Sequence, residues 1–197
     1  MSSFLIILFA YLLGSVPVGV ILASIKGADP RKVGSGNIGA TNVMRAAGKT
    51  TGILTLVGDI LKGFLPILIA VALEEPILVI AAVGLAAFLG HLFPLFLKFK
   101  GGKGVATALG VYLRLDPFAV LIAAVVFVLV LIKWRYVSLG SLAGVAVIPL
   151  ALYLLNAQSY YVYLALIIGT LIFIKHTDNI RRLVAGTESK VGKSKNS

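Results

Sequence analysis

The stretch Phe4–Ile25 runs from end to end without one charged side chain. A helix needs roughly 20 consecutive apolar residues to cross a hydrocarbon core of about 30 Å. Five further stretches have the same character: Gly52–Leu73, Pro76–Leu97, Pro117–Ile132, Val137–Leu155 and Tyr160–Ile174. With 59% hydrophobic and 13% charged residues in 197, and a mean hydropathy of +1.05, the chain is too apolar for a soluble domain. The expectation is an all-α integral membrane protein forming a single membrane domain over residues 1–197. Val105–Leu113 is apolar for only about half a bilayer before Arg114 and Asp116. Counted as a short crossing, it brings the total to about seven transmembrane helices. The first stretch has neither a basic leader nor a small-residue cleavage site, so it reads as a retained span and not a removed signal.

The positions of Lys and Arg set the orientation. Lys26, Arg31, Lys32, Arg45 and Lys49 fall in the first loop, Lys98, Lys100 and Lys103 in a second, and Lys133 and Arg135 in a third. Lys175, Arg181, Arg182, Lys190, Lys193 and Lys195 fall in the tail. Sixteen of the eighteen basic residues then lie on one side, provided the short segment crosses. This predicts an N-terminus outside, a C-terminus in the cytoplasm, and a bacterial inner-membrane protein whose chemistry faces the cytoplasm. The net charge of +11 sits between apolar segments and not on a soluble surface, which points to the lipid bilayer and anionic substrates and away from nucleic acid. Absence of cysteine removes thiolate chemistry, and two histidines with seven carboxylates make a metal cage improbable, so no cofactor is expected.

Three cytoplasmic regions, 34–45, 98–107 and 175–188, carry more chemistry than connectors need. The first reads Gly34-Ser35-Gly36-Asn37-Ile38-Gly39-Ala40-Thr41-Asn42, with Arg45 beyond it. Its glycines let amides converge on an anion, Ser35, Asn37, Thr41 and Asn42 add short polar groups, and Arg45 offers a two-pronged grip on phosphate. The second, Gly101-Gly102-Lys103-Gly104, leads into a helix beginning at Val105, where unpaired amides and the helix dipole favour an anion. It lacks the spacing of a P-loop. In the third, Lys175-His176-Thr177-Asp178-Asn179-Ile180-Arg181-Arg182-Leu183, a helix continuing through the region would place His176 and Asn179 on one face and pair Asp178 with Arg182. Ser138 and Ser141 open the sixth span near the same side. Asp59 and Lys62 lie inside a span, either as an ion pair or as substrate ligands, and His91 reads as a hydrogen-bonded interior residue.

Taken in order, the first motif, the stretch from Gly90-His91 to Gly101-Gly102-Lys103-Gly104-Val105-Ala106-Thr107, and His176 with Asn179-Ile180 and Arg182-Leu183 closely resemble the bacterial PlsY family. The resemblance covers nearly the whole chain. It implies an acyl-phosphate:glycerol-3-phosphate acyltransferase that makes lysophosphatidic acid for phospholipid synthesis. Its substrates would be sn-glycerol 3-phosphate and acyl phosphate, and a soluble acyl-phosphate-producing enzyme is a possible partner. Carried over position by position, Ser35, Arg45, Lys103, His176 and Asn179 would be catalytic. Asn37, Thr41, Asn42, Gly101, Gly102, Gly104 and Ser141 would bind substrate. Asp178 stands where the family pattern favours glutamate, which keeps the charge. The alternative is an organic-phosphate transporter or antiporter, but the chain shows neither two related halves nor a clear midplane site. For the proton of the attacking hydroxyl, His176 and the donor's own phosphate are both available, and the good leaving group favours the phosphate.

Overall fold

The computed structural model describes residues 3–192, and every regular element among them is helical. The helices are α1 (Ser3–Ser15), α2 (Val18–Ser24), α3 (Ala40–Ala47), α4 (Lys49–Ala72), α5 (Ile77–Leu92) and α6 (Val105–Leu115). They continue as α7 (Pro117–Trp134), α8 (Val137–Leu154), α9 (Ser159–Lys175) and α10 (Thr177–Val184). Among the described residues five spans are long and apolar enough to cross a bilayer: α1 with α2, α4, α5 with its 3-10 extension, α7 and α8. A sixth arises if α9 and α10, bent by 59°, are taken together. Helix α6, with 11 residues and so about 16 Å long, is the short segment of the sequence reading. The protein is an all-helical, multi-pass integral membrane protein. Lys193 and Lys195, counted for orientation, lie outside the described residues.

The helices fall into two compact units that divide between Leu115 and Asp116. In the first, α1 packs along α5 and α4 along α6. Lipid removes the hydrophobic drive for helices to associate, so close backbone approach must supply the contact. Glycines provide it reciprocally. A Cβ on Gly14 would collide with the Ala87 carbonyl, and one on Gly90 with that of Tyr11. The α4–α6 pair repeats the device, with Gly63 against the Thr107 carbonyl and Gly110 against that of Ile60.

The first span is not one continuous helix, as its composition suggested, because Pro17 has no N–H to continue the ladder and the chain breaks at Val16–Pro17. Lys62, from α4, donates to the Val16 carbonyl at 3.0 Å. A broken backbone survives at membrane depth only where such partners re-satisfy it.

In the second unit α8 packs against both α7 and α9. Helix α7 leaves Phe118, Leu121, Val125, Leu129 and Ile132 exposed, a surface suited to acyl chains and not to water. Residues beyond α10 fold back within this unit: Val191 donates its amide to the Arg135 carbonyl at 2.8 Å, and Arg135 Nη2 donates to the Val191 carbonyl at 2.9 Å. A helix continuous from the last span through residue 183 was expected. The observed bend at His176 ends it.

Candidate active site

The first loop is organised by Asn42, buried in the first turn of α3. Its Nδ2 donates toward the carbonyls of Pro30 at 2.7 Å, Asn37 at 2.8 Å and Val33 at 3.0 Å, and its Oδ1 accepts the Ser35 amide at 3.0 Å. The carboxamide is thereby committed to the loop itself. Asn37 does a related job, its Oδ1 accepting the Gly39 amide at 2.7 Å just before α3 starts. Upstream, Asp29 caps the turn at Pro30–Lys32 by accepting the Arg31 amide, and hydrogen bonds from the Arg31 side chain and amide lower its carboxyl to about 2. Gly34 has φ +60° and would collide with Asn42 Oδ1 if it carried a Cβ.

What this scaffold displays is Ser35, Thr41 and Arg45, all exposed. Thr41 and Arg45 are four residues apart on α3 and so share a face. The Arg45 stem passes beside Gly34, 3.7 Å from where a Cβ would stand. A hydroxyl, a second hydroxyl and a guanidinium on a fixed loop can bind an anion without having to order the backbone first.

The second loop is held differently. Gly101 and Gly102 donate their amides to the carbonyls of Leu92 at 3.2 Å and His91 at 3.1 Å, which closes the loop onto the end of α5. A Cβ on Gly101 would strike the His91 carbonyl, and one on Gly102 the His91 ring at Nε2. Gly104 has φ +83° and lies against Phe88 and Leu92, where no side chain fits. These glycines therefore serve close packing and turn geometry. The helix that follows opens its first turn, with orphan amides and a positive dipole end, at Val105, two residues beyond Lys103. Lys103 is half-buried at that junction.

The third region and Ser141 belong to the second unit. His176 sits at the junction of α9 and α10 and is buried. Its Nδ1 lies 2.8 Å from the Ile172 carbonyl. A carbonyl only accepts, so Nδ1 carries the proton and, in the neutral ring, Nε2 is the accepting nitrogen. Asn179 Nδ2 donates to Glu188 Oε1 at 2.6 Å, Ser138 Oγ donates to the same oxygen at 2.7 Å, and Arg182 Nε donates to Oε2 at 2.6 Å. Partial burial pushes the Glu188 carboxyl up, but the bonds from Ser138, Arg182 and Asn179 prevail and hold it below its ordinary value. Ser141, buried on α8, lies three residues beyond Ser138 and hence one turn deeper on the same side.

Two pairings differ from the sequence expectation. Asp178 does not hold Arg182. It stands 3.6 Å from Arg181 in an exposed pair, while Arg182 bonds Glu188. The bend at His176 re-aims α10, and the return of the chain beyond Val184 brings Glu188 into reach. Glu188 is the residue that sequence reasoning missed. Its only signal is that it is the sole carboxylate after Asp178 in a strongly basic tail. Asp59 and Lys62 do form an ion pair, at 3.0 Å, and His91 Nδ1 lies 3.6 Å from the same Asp59 oxygen.

A family profile described as glycerol-3-phosphate acyltransferase matches residues 4–186. The chain is 53% identical over 188 residues to a glycerol-3-phosphate acyltransferase of Geotalea daltonii, covering 95% of this chain and 97% of the relative. It is 54% identical over 181 residues to one from Trichlorobacter lovleyi, covering 92% and 93%. Among solved structures, the crystal structure of PlsY, an integral membrane glycerol 3-phosphate acyltransferase in its glycerol 3-phosphate form, superposes with a TM-score of 0.94 at 44% identity, covering 98% of this chain and 96% of that one. The lysophosphatidic acid form of PlsY matches with a TM-score of 0.92. The fold, the motif loops and these relatives agree, and the chain belongs to the glycerol-3-phosphate acyltransferase family of integral membrane enzymes.

Proposed function

We propose that this enzyme transfers a fatty acyl group from acyl phosphate to the 1-hydroxyl of sn-glycerol 3-phosphate, at the cytoplasmic face of the bacterial inner membrane. The products are lysophosphatidic acid and inorganic phosphate. The observation that carries the reading is the pre-formed first loop: Asn42 fixes its backbone from within, while Ser35, Thr41 and Arg45 stay exposed on it. The solved relative is described in a glycerol 3-phosphate form and a lysophosphatidic acid form, which suits the same acceptor and product here.

The chemistry asks little beyond binding. Acyl phosphate is a mixed anhydride. The glycerol hydroxyl attacks its carbonyl carbon, the new ester C–O bond forms, and the bond from acyl carbon to phosphate oxygen breaks. The leaving phosphate takes the electron pair and accepts the hydroxyl proton. Cations that neutralise phosphate and fix the reactants lower this barrier by orientation and electrostatics. Arg45 and Lys103 supply the charge. His176, with Nδ1 tied to Ile172, orients the polyol, and Asn179 and Ser141 contribute hydrogen bonds. Basic loops beside apolar spans suit a polar acceptor from water and an acyl chain from lipid.

The test is direct. Purified protein is incubated with glycerol 3-phosphate and either palmitoyl phosphate or palmitoyl-CoA, and lysophosphatidic acid and the released phosphate or CoA are measured. Product from palmitoyl phosphate alone is the expected result. Product from palmitoyl-CoA alone would retire the acyl-phosphate assignment while leaving an acyltransferase.

A further inference from the structure

Three ionisable side chains lie in the interior of the first unit and are not used by the mechanism above. Asp59 and His91 are 3% exposed and Lys62 is 4% exposed. Lys62 Nζ contacts Asp59 Oδ1 at 3.0 Å and the Val16 carbonyl at 3.0 Å, and His91 Nδ1 faces the same Asp59 oxygen at 3.6 Å. Such a cluster is a poor choice for stability alone, because well-packed apolar residues commonly hold a core at least as firmly as a buried ion pair. Ionisable groups at membrane depth more often mark function.

The cluster ends at the second loop. One residue, His91, grips one residue, Gly102, in two ways: its carbonyl accepts the Gly102 amide at 3.1 Å, and its ring edge fills the space where a Gly102 side chain would stand. The first contact fixes direction and the second fixes distance. Asp59 faces the other edge of the same ring, its Oδ1 3.6 Å from Nδ1. One residue beyond Lys62, Gly63 of α4 meets the Thr107 carbonyl near the start of α6. Helix α4 therefore braces the loop on both sides, through His91 before Lys103 and through Thr107 after it.

We propose that Asp59, Lys62 and His91 are positioning residues whose cluster sets where Gly102 and Lys103 stand, and so how well Lys103 meets a substrate phosphate. The inference rests on the proposed role of Lys103 as a phosphate-binding cation. None of the three touches substrate. Lys62 holds Asp59 and the broken end of the first span, the Asp59 carboxylate lies against the Nδ1 edge of the His91 ring, and the ring packs against the loop at Gly102.

The experiment is a double-mutant cycle on the purified full-length protein in detergent, with KM and kcat determined for both substrates. Lys103→Ala identifies the substrate whose phosphate this lysine holds, by the KM it raises. In the wild-type background Asp59→Asn should raise that same KM about tenfold while leaving kcat at saturation within about twofold, the signature of a misplaced binding group. In the Lys103→Ala background it should add less than about twofold, because the misplaced group is already gone. His91→Gln, which keeps a polar group toward Asp59 without the ring edge, should show the same dependence on background. An equal KM increase in both backgrounds, or a fall in thermal stability with KM unchanged, would overturn the positioning role. So would failure of both variants to accumulate folded, which would make the cluster purely structural. If Lys103→Ala raises neither KM, the phosphate role of the loop itself falls, and the inference with it.

Discussion

Two polar side chains organise two of the motif regions, and they do it with opposite chemistry. Asn42 gathers the first loop with a neutral carboxamide, taking three carbonyls and one amide. Glu188 gathers the third region with a carboxylate, accepting from Ser138, Asn179 and Arg182. A neutral clamp leaves the charge of Arg45 available to a ligand. The anionic clamp engages Arg182, drawing that cation into the scaffold. The difference separates a cation already paired with a carboxylate of the chain from one that is exposed, which charge counting alone does not do.

Arg45→Ala and Lys103→Ala should each lower acyl transfer at subsaturating glycerol 3-phosphate by about a hundredfold or more, with membrane insertion intact, since on the proposed reading each removes a charge that meets substrate phosphate. Arg45→Lys should recover only part, because lysine lacks the planar fork. Near-normal turnover in both alanine variants would remove the phosphate sites.

Next in size is the neutral clamp. Asn42→Asp cannot donate and would set a carboxylate against the carbonyls of Pro30, Val33 and Asn37, so activity should fall about tenfold through a displaced loop. Steady-state kinetics on folded protein decide this. Wild-type constants in that variant would show that the loop is ordered by something else.

His176→Gln should act more mildly. It keeps a hydrogen-bonding side chain without a titrating one, so turnover within a few-fold of wild type and an unchanged pH–rate profile are expected if the leaving phosphate takes the proton. Loss of turnover together with loss of one limb of that profile would make His176 the base.

The charged clamp should reveal itself in stability against pH. Glu188 titrates below its ordinary value of 4.5 in the folded protein, so its contribution is complete above that pH and is lost as pH falls through the depressed folded value. Melting temperatures of wild type and Glu188→Gln should differ by a constant amount near neutrality and converge in acid. A gap that persists at low pH would mean the clamp works by shape and not by charge. The smallest effect belongs to Asp178→Ala. The Asp178–Arg181 pair is 80% and 77% exposed at 3.6 Å, and its loss should change stability by less than about 0.5 kcal/mol and activity not at all. A large loss of activity would mean that Asp178 has a role its geometry does not show.

Much of this protein is written in one dimension. Charge-free stretches such as Phe4–Ile25 must become helices in lipid, because only a helix satisfies its own backbone there, and this is why the order of the spans, including the short one at Val105, was legible. The three motif regions were legible too, since glycines, short polar residues and cations cluster locally in each. What each polar residue does there was not legible, because hydrogen bonds and packing across long sequence distances decide it. Asn42 and Arg45 stand three positions apart in one motif, yet one is buried holding carbonyls back to Pro30 while the other is exposed. Gly102 looks like an anion-binding glycine until the His91 ring is found where its side chain would be. Glu188 carries no motif at all and becomes a hub only because Pro17-like breaks are not confined to proline: the chain bends at His176 and returns beneath α10. Local composition determined that this chain spans a membrane and where its glycines, short polar residues and cations cluster. The tertiary structure alone decided which of those residues are exposed and which are tied into the scaffold, because burial and pairing depend on neighbours that the chain supplies from far away.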